Sequence, residues 1–192
     1  MPGPQNGQGP QAALLPDGRR LHLQHGPIDL VIEAFGARDE VAAAYSQVRD
    51  RFADILPVLV GELASLRRPV GGPRWEPAGP VAVRMMAAAW PHRAVCVTPM
   101  AAVAGAVADE TLAALVAGRT LEKAYVNNSG DIAVHLSPGA SLRLGIVGEM
   151  MRPSIDGLAL LTSDRPVRGV ATSGWRGRSW SFGIADAVTV LA

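Results

Sequence analysis

The first long hydrophobic pattern in the chain has the period of an amphipathic helix. Between Asp39 and Leu66, apolar residues recur every three or four positions, which places them on one face of a helix. Asp39 is the expected N-cap, because its carboxylate can accept a backbone N–H at the start of a helix. Pro57 lies inside the pattern and has no N–H to donate, so we expect the helix to kink or split there.

Shorter patterns surround this helix. Two strand-like runs at residues 21–35 precede it, and a linker rich in proline and glycine follows at residues 68–80. The next segments predict a short helix at residues 81–90 and a buried strand at residues 94–98. An alanine-rich helix is expected at residues 99–117, because the proline at its start suits the first turn of a helix.

From residue 123 onward the pattern changes to short β runs separated by Gly, Pro, Asn and Ser, which is typical of a largely antiparallel sheet. The last run, residues 184–191, is compatible with a short helix or a strand. Helices early and strands late predict an α+β fold. We expect a single domain at residues 21–192, after a mobile N-terminal tail at residues 1–20.

Composition narrows the class of protein. The 192 residues are 48% hydrophobic and 18% charged, with a formal net charge of +1, so the chain can form a core and lacks a basic surface for nucleic acid or anionic membranes. The single cysteine, Cys96, is expected in the core and indicates a reducing compartment. The longest apolar run, residues 94–108, is shorter than the roughly 20 residues that span a bilayer. We therefore expect a cytoplasmic protein.

Four clusters of polar or small residues interrupt apolar sequence and are candidates for a functional site. They are Pro99–Asp109, Asn127–Asp131, Ala171–Gly174 and Ala185–Thr189. The second is compatible with a simple hairpin turn, or with a loop whose N–H groups form an anion nest held by Asp131.

The other clusters also allow two interpretations. The hydroxyls of Thr172 and Ser173 suit a phosphate or flavin edge, or a cap of the next segment. Asp186 and Thr189 share a face if their segment is helical, and their oxygens would then suit a hard cation such as Mg²⁺. The first cluster allows close approach of a ligand to the backbone, or packs as an ordinary alanine-rich helix.

In this order, the clusters resemble motifs of the ApbE-like (FAD:protein FMN transferase) superfamily. The motifs Asn-x-Gly-Gly-Asp-Ile, Ala-Thr-Ser-Gly and Ala-Asp-Ala-x-x-Thr correspond here to NNSGDI, VATSG and ADAVT, after a small-residue segment AAVAGAVAD. The closer similarity is to a short, poorly characterised branch with the patterns PMAAVAGA and SFGxADAVTVLA. The resemblance spans roughly residues 25–192 and implies an ApbE-like fold of sheet and packed helices.

The resemblance also implies a site. Mg²⁺ on the FAD pyrophosphate would be held by the Ala104 carbonyl and by Asp186 and Thr189. The nucleotide pocket would be lined by residues of the Asn-Asn-Ser-Gly-Asp and Thr-Ser-Gly motifs, namely Asn127, Asn128, Gly130, Asp131, Thr172, Ser173 and Gly174.

The chain departs from the transferase pattern between its last two motifs. The transferases carry His-x-x-Asp-Pro there, whereas this chain has WRGRSWSFGI, so Asp131 or Arg178 is the candidate for the catalytic role of the missing histidine. Arg176 and Arg178 are also able to hold a phosphate, or to be exposed loop residues. In addition, the metal-site threonine follows Asp186 by three residues rather than four.

Three functions remain open from the sequence. The first is binding of a small anionic ligand, flavin-like or nucleotide-like, with or without catalysis. The second is Mg²⁺-dependent transfer of FMN from FAD to an acceptor protein. The third is non-catalytic ligand binding or assembly, and an oligomer is compatible with each of them.

Overall fold

The computed structural model describes residues 9–73, 75–147, 155, 157–174 and 187–192. Within them the helices are α1 (Arg38–Leu66), α2 (Pro80–Ala89) and α3 (Val103–Val116), with two 3₁₀ segments at Trp90–His92 and Pro99–Ala102. The strands are β1 (Gln11–Leu14), β2 (Leu21–His25), β3 (Ile28–Gly36), β4 (Leu121–Asn128), β5 (Asp131–Leu136), β6 (Ser141–Ile146), β7 (Gly157–Thr162), β8 (Gly169–Gly174) and β9 (Ala187–Leu191).

Seven of these strands form one antiparallel sheet in the order β1-β2-β3-β4-β5-β8-β9, and β6 pairs with β7 in a separate hairpin. The combination of helices with antiparallel sheets confirms the α+β class. The predicted helices at residues 81–90 and 99–117 are present with small changes of boundary. The last apolar run forms a strand in its described part, residues 187–191.

Helices cover one face of the large sheet. The apolar stripe of α1, including Val48, Phe52 and Ile55, packs with Leu30 and Ile32 of β3 in one buried cluster. Burying each such side chain stabilises the fold by about 1.5–3 kcal/mol. The β6–β7 hairpin shares a second cluster with the other face of the sheet, through contacts among Val134, Leu161 and Val170.

Helix α1 continues through Pro57, so the predicted split does not occur, and Ala37 rather than Asp39 is its N-cap. The proline removes one backbone hydrogen bond, at a cost of about 3 kcal/mol. Phe52 and Leu59 lie on either side of it and are buried in the same cluster. Continuous packing along the helix offsets the missing bond.

The buried strand predicted at residues 94–98 is wrong. These residues form turns, Val95 is 61% exposed, and Cys96 is exposed rather than in the core. The N–H of Val95 bonds to the carbonyl of His92, which continues the preceding turn. A short apolar run carries no information about whether a strand partner is available.

The predicted mobile tail, residues 1–20, contains strand β1, which pairs with β2 along its full length. The carboxylate of Asp17 closes the connecting turn by accepting the N–H groups of Arg19 and Arg20, both at 3.0 Å. This side-chain-to-backbone bonding is the chemistry that makes aspartate common in turns.

One segment of the described residues, Pro99–Val116, is long and apolar enough to cross a membrane by length and composition alone. It comprises a 3₁₀ turn and α3, and α3 packs against α1, α2, β4 and β5. These contacts are those of a core helix.

Candidate functional site

The Asn127–Asp131 cluster forms the tight turn between β4 and β5. Asn128 and Asp131 are the closing pair of the ladder, and the two residues between them have positive φ, 53° at Ser129 and 107° at Gly130. A two-residue hairpin with both φ angles positive matches the twist of the strands, which explains the glycine. Asn127 supports the turn, because its Oδ1 accepts the N–H of Gly130 at 2.9 Å. The hairpin interpretation is therefore correct for the backbone.

The closing pair faces the helices. Ala124 and Val126 belong to the helix-side cluster, and side chains alternate along a strand, so Asn128 lies on the same face. Its Nδ2 donates to the carbonyl of Ala104, at 3.0 Å, and only 7% of the residue is exposed. A side chain of the turn thus reaches the first turn of α3.

Asp131 contacts the same point of α3. Its half-buried carboxylate accepts the backbone N–H groups of Gly105 and Thr172, and a Cβ added to Gly105 would lie 3.9 Å from its Oδ2. Burial raises the pKa of Asp131 above its usual value, and the two N–H donors partly oppose that shift. The carboxylate therefore connects three elements: the β4–β5 turn, α3 and β8.

The carbonyl of Ala104 and the N–H of Gly105 belong to one peptide group. Asn128 holds its oxygen and Asp131 holds its N–H, and we call these two side chains the peptide clamp. Gly105 is the third residue of α3 and lies in its first turn, where the N–H groups of a helix commonly bond to partners outside it. Because the N-cap of α3 is Ala102, which makes no side-chain cap bond, Asp131 acts as the cap from another element.

Strands β8 and β9 bring together the two predicted threonines. Thr172 pairs with Thr189, and their Oγ1 atoms lie 3.0 Å apart. Val170 belongs to the cluster under the β6–β7 hairpin, so alternation places both hydroxyls on the sheet face opposite to the peptide clamp. Only the backbone N–H of Thr172 reaches Asp131.

An apolar strip lies on the α3 side of β8 and β9. Alternation places Ala171, Ser173, Val188 and Val190 on this face, and all four are exposed, the two valines by 51% and 53%. The strip continues the sheet face on which the peptide clamp lies. Apolar surface beside a few convergent polar groups is the usual composition of a small-molecule site.

The structure thus brings together some of the site residues predicted from the sequence. Ala104, Asn128 and Asp131 meet at one point, and Thr172 joins them through its backbone. Asn127 and Gly130 shape the turn, whereas Ser173 and Gly174 lie at the end of β8 and Thr189 bonds to Thr172. Asp186, Arg176 and Arg178 lie outside the described residues. Gly105 is the contact that sequence reasoning missed, and the glycine after Ala104 was its only signal.

The oxygen atoms beside the Ala104–Gly105 peptide group are ligands that suit a hard cation. The Ala104 carbonyl and the Asp131 carboxylate both offer oxygen, which Mg²⁺ prefers. In the described part of the chain there is no group of three or more His, Cys, Asp or Glu side chains able to hold a metal.

Comparison with known proteins identifies the family. A family profile described as "AbpE bacteria" matches residues 12–192. A UPF0280 protein of Methanothermobacter thermautotrophicus is 39% identical over 123 residues, 59% of this chain and 43% of that protein. A UPF0280 protein of Archaeoglobus fulgidus is 41% identical over 100 residues, 50% of this chain and 37% of that protein. The chain thus matches less than half the length of these curated relatives, and by the profile it belongs to the AbpE bacteria family.

Proposed function

We propose that this chain binds a small phosphate-containing ligand, flavin-like or nucleotide-like, together with a divalent cation, beside the first turn of α3. One observation carries the proposal: residues from three separate sequence clusters meet around Asp131, whose carboxylate accepts the N–H groups of Gly105 and Thr172 beside the Asn128–Ala104 bond. The resemblance to the ApbE-like superfamily assigns the same clusters to a flavin-nucleotide pocket and supports this choice of ligand.

The charge of Asp131 explains why ligand and cation should bind together. Among the described residues, the carboxylate of Asp131 bonds to backbone N–H groups rather than to cationic side chains. A phosphate approaching alone would be repelled by the ionised carboxylate, more strongly where burial lowers the local dielectric constant. A divalent cation between them removes this repulsion, so each should strengthen binding of the other.

The cation is proposed as Mg²⁺, held by the Ala104 carbonyl and by Asp186, as the resemblance implies. The resemblance also adds Thr189, but strand alternation places its hydroxyl on the opposite face of the sheet, so Thr189 is not part of this proposal. Bound Mg²⁺ would neutralise charge on a pyrophosphate. The chain's own residues would fix the start of α3 through the peptide clamp and offer the apolar strip of β8 and β9 to the uncharged part of the ligand. Of the two catalytic candidates, Arg178 remains the proposed one, because the carboxylate of Asp131 is engaged by the N–H groups of Gly105 and Thr172.

Calorimetry and thermal shift with Mg²⁺ alone, FAD alone and both together test the binding proposal. We expect the joint increase in Tm to exceed the sum of the separate increases in the wild type. Asp131→Asn should reduce the joint effect, whereas Asp50→Asn, on the exposed face of α1, should preserve it. The absence of any joint effect, or an equal loss in both variants, would contradict the proposal.

A second measurement distinguishes binding from transfer. The protein is incubated with FAD, Mg²⁺ and a threonine-containing acceptor peptide, and AMP release and covalent flavin are followed. Both products together would indicate FMN transfer to an acceptor protein. Binding without either product would indicate a non-catalytic ligand-binding or assembly role.

A further inference from the structure

We infer that Asn128 and Asp131 are positioning residues that hold the first turn of α3 at a fixed place against β8. The peptide clamp itself is a contact of the folded chain. Its effect on affinity rests on the proposed ligand-binding function. Asn128 and Asp131 would thus place the site, and other groups would touch the ligand there.

The two residue types match the two sides of this peptide group. In a trans peptide the C=O and N–H point in opposite directions, so one partner has to donate and the other has to accept. Asn128 supplies an amide N–H and Asp131 an acceptor oxygen. Because they are the closing pair of one turn, their separation is set by the hairpin ladder. An aspartate at position 128 would meet the Ala104 carbonyl with an acceptor, so the two types are not interchangeable.

The burial of Asn128 and Asp131 indicates that the peptide clamp acts through contacts within the folded chain. Asn128 is 7% exposed, and its amide is engaged by Ala104. Asp131 is half-buried and accepts two backbone N–H groups. The side chains therefore offer little free surface to a ligand. Their loss would instead let the start of α3 shift relative to β8 and the apolar strip.

The fold should survive such a shift, because α3 is anchored beyond its first turn. Val107, Ala108 and Leu115 are almost completely buried in the main core. Small displacements at a binding site can nevertheless cost one to two orders of magnitude, as substitutions in the shell that orients ligand groups do. Affinity and fold stability are thus expected to respond separately.

Gln47 of α1 provides a matched control at the other end of α3. Its Nε2 donates to the carbonyls of Ala114 and Leu115, at 2.6 and 3.0 Å. The bond type is the same as that of Asn128, an amide donor on a helix carbonyl. At about 1.5 Å per residue, the two contacts are separated by roughly 15 Å along the helix.

The first test measures the Kd for FAD with Mg²⁺ by calorimetry, at a temperature where circular dichroism shows every variant folded. Asn128→Ala should raise the Kd about 10-fold or more, and Asn128→Asp at least as much. Gln47→Ala should change the Kd by less than about 2-fold, since it removes the same kind of bond away from the site. An equal effect of Gln47→Ala and Asn128→Ala would overturn the inference, because general destabilisation would then explain both.

The second test needs no ligand and measures amide hydrogen exchange at Gly105. Gly105 should exchange slowly in the wild type. Asn128→Ala should accelerate exchange at Gly105 about 10-fold or more without accelerating Leu115, and Asp131→Asn, which leaves a weaker acceptor, should accelerate it as well.

The two tests separate the inference from the proposed function. If the wild type binds neither FAD nor Mg²⁺, the proposed function fails, and the exchange data alone decide whether the clamp exists. Unchanged exchange at Gly105 in both Asn128→Ala and Asp131→Asn would overturn the inference, even in a protein that binds the ligand.

Discussion

The two ends of α3 satisfy their unpaired backbone groups with different chemistry. At the C-terminal end, Gln47 donates to the carbonyls of Ala114, Leu115 and Ala117. At the N-terminal end, a carboxylate and an amide from the β4–β5 turn hold one peptide group. Both ends obey the requirement that helix termini find partners outside the helix.

The difference between these ends is informative because a neutral side chain is sufficient for capping. An amide serves the C-terminal end, and a serine or asparagine at the N-cap would serve the other at no cost in buried charge. Instead, the N-terminal end has a half-buried carboxylate that also binds the N–H of Thr172. A capping role alone requires neither the additional charge nor the connection to β8.

The largest expected effect is that of Asn128→Asp on stability. The substitution places a buried acceptor against the Ala104 carbonyl, on the same sheet face as Asp131. We expect a loss of about 3 kcal/mol in the free energy of unfolding, measured by urea denaturation at pH 7. Asn128→Ala, which removes the donor without adding a charge, should cost less. Equal losses would show that charge at this position is unimportant.

Gln47→Glu tests the other end with the matching change. It replaces the donor by an acceptor and adds negative charge near the C-terminal end of a helix dipole. The side chain is only partly buried, so we expect a loss of about 1–2 kcal/mol in the same urea experiment. A loss larger than that of Asn128→Asp would reverse the ranking of the two ends.

Asp131→Asn should change the pH dependence of stability more than stability itself at neutral pH. Burial raises the pKa of Asp131 above its ordinary value of 3.8, so the folded state binds this proton more tightly than the unfolded state. The contribution of this raised pKa to the free energy of unfolding is complete below pH 3.8. It is lost as the pH rises through the higher pKa of the folded state. Urea melts across this window should show a decrease in wild-type stability that the variant lacks. An identical profile in both proteins would contradict the shift.

Gly105→Ala should have the smallest effect, and a stabilising one. A Cβ there would lie 3.9 Å from Asp131 Oδ2, an ordinary contact, and alanine favours a helix over glycine by about 1 kcal/mol. We expect a gain of about 0.5–1 kcal/mol by urea denaturation, with the clamp intact. A loss of stability would show that the first turn of α3 lacks room for a methyl group.

Local chemistry allowed much of the fold to be predicted. The Ser129-Gly130 turn, the helical period of α1 and the proline before α3 each depend on nearby residues, and the structure contains all three elements. The errors arose where a partner elsewhere in the chain decides the outcome. Residues 94–98 are apolar without a strand to pair with, and residues 11–14 are part of β1 because β2 lies beside them.

For the candidate site, too, local residues allowed one part to be predicted, and contacts between distant elements decided the rest. Asn128 and Asp131 stood out in the sequence because polar residues interrupt an apolar run, and Ala104 was implied by resemblance. Strand alternation, which depends on the register of β8 against β5, separates the hydroxyls of Thr172 and Thr189 from that pair. The role of Gly105 depends on a contact between elements, and the glycine after Ala104 was its only local signal.

The sequence by itself determined the α+β class, the tight β4–β5 turn and the residue types able to hold a peptide group, because these follow from period, φ preference and side-chain chemistry. Only the tertiary structure decided that this turn closes onto the start of α3, with Asn128 and Ala104 24 residues apart in the chain. Such contacts depend on how the burial of apolar surface packs the helices onto the sheet, which short sequence patterns do not specify.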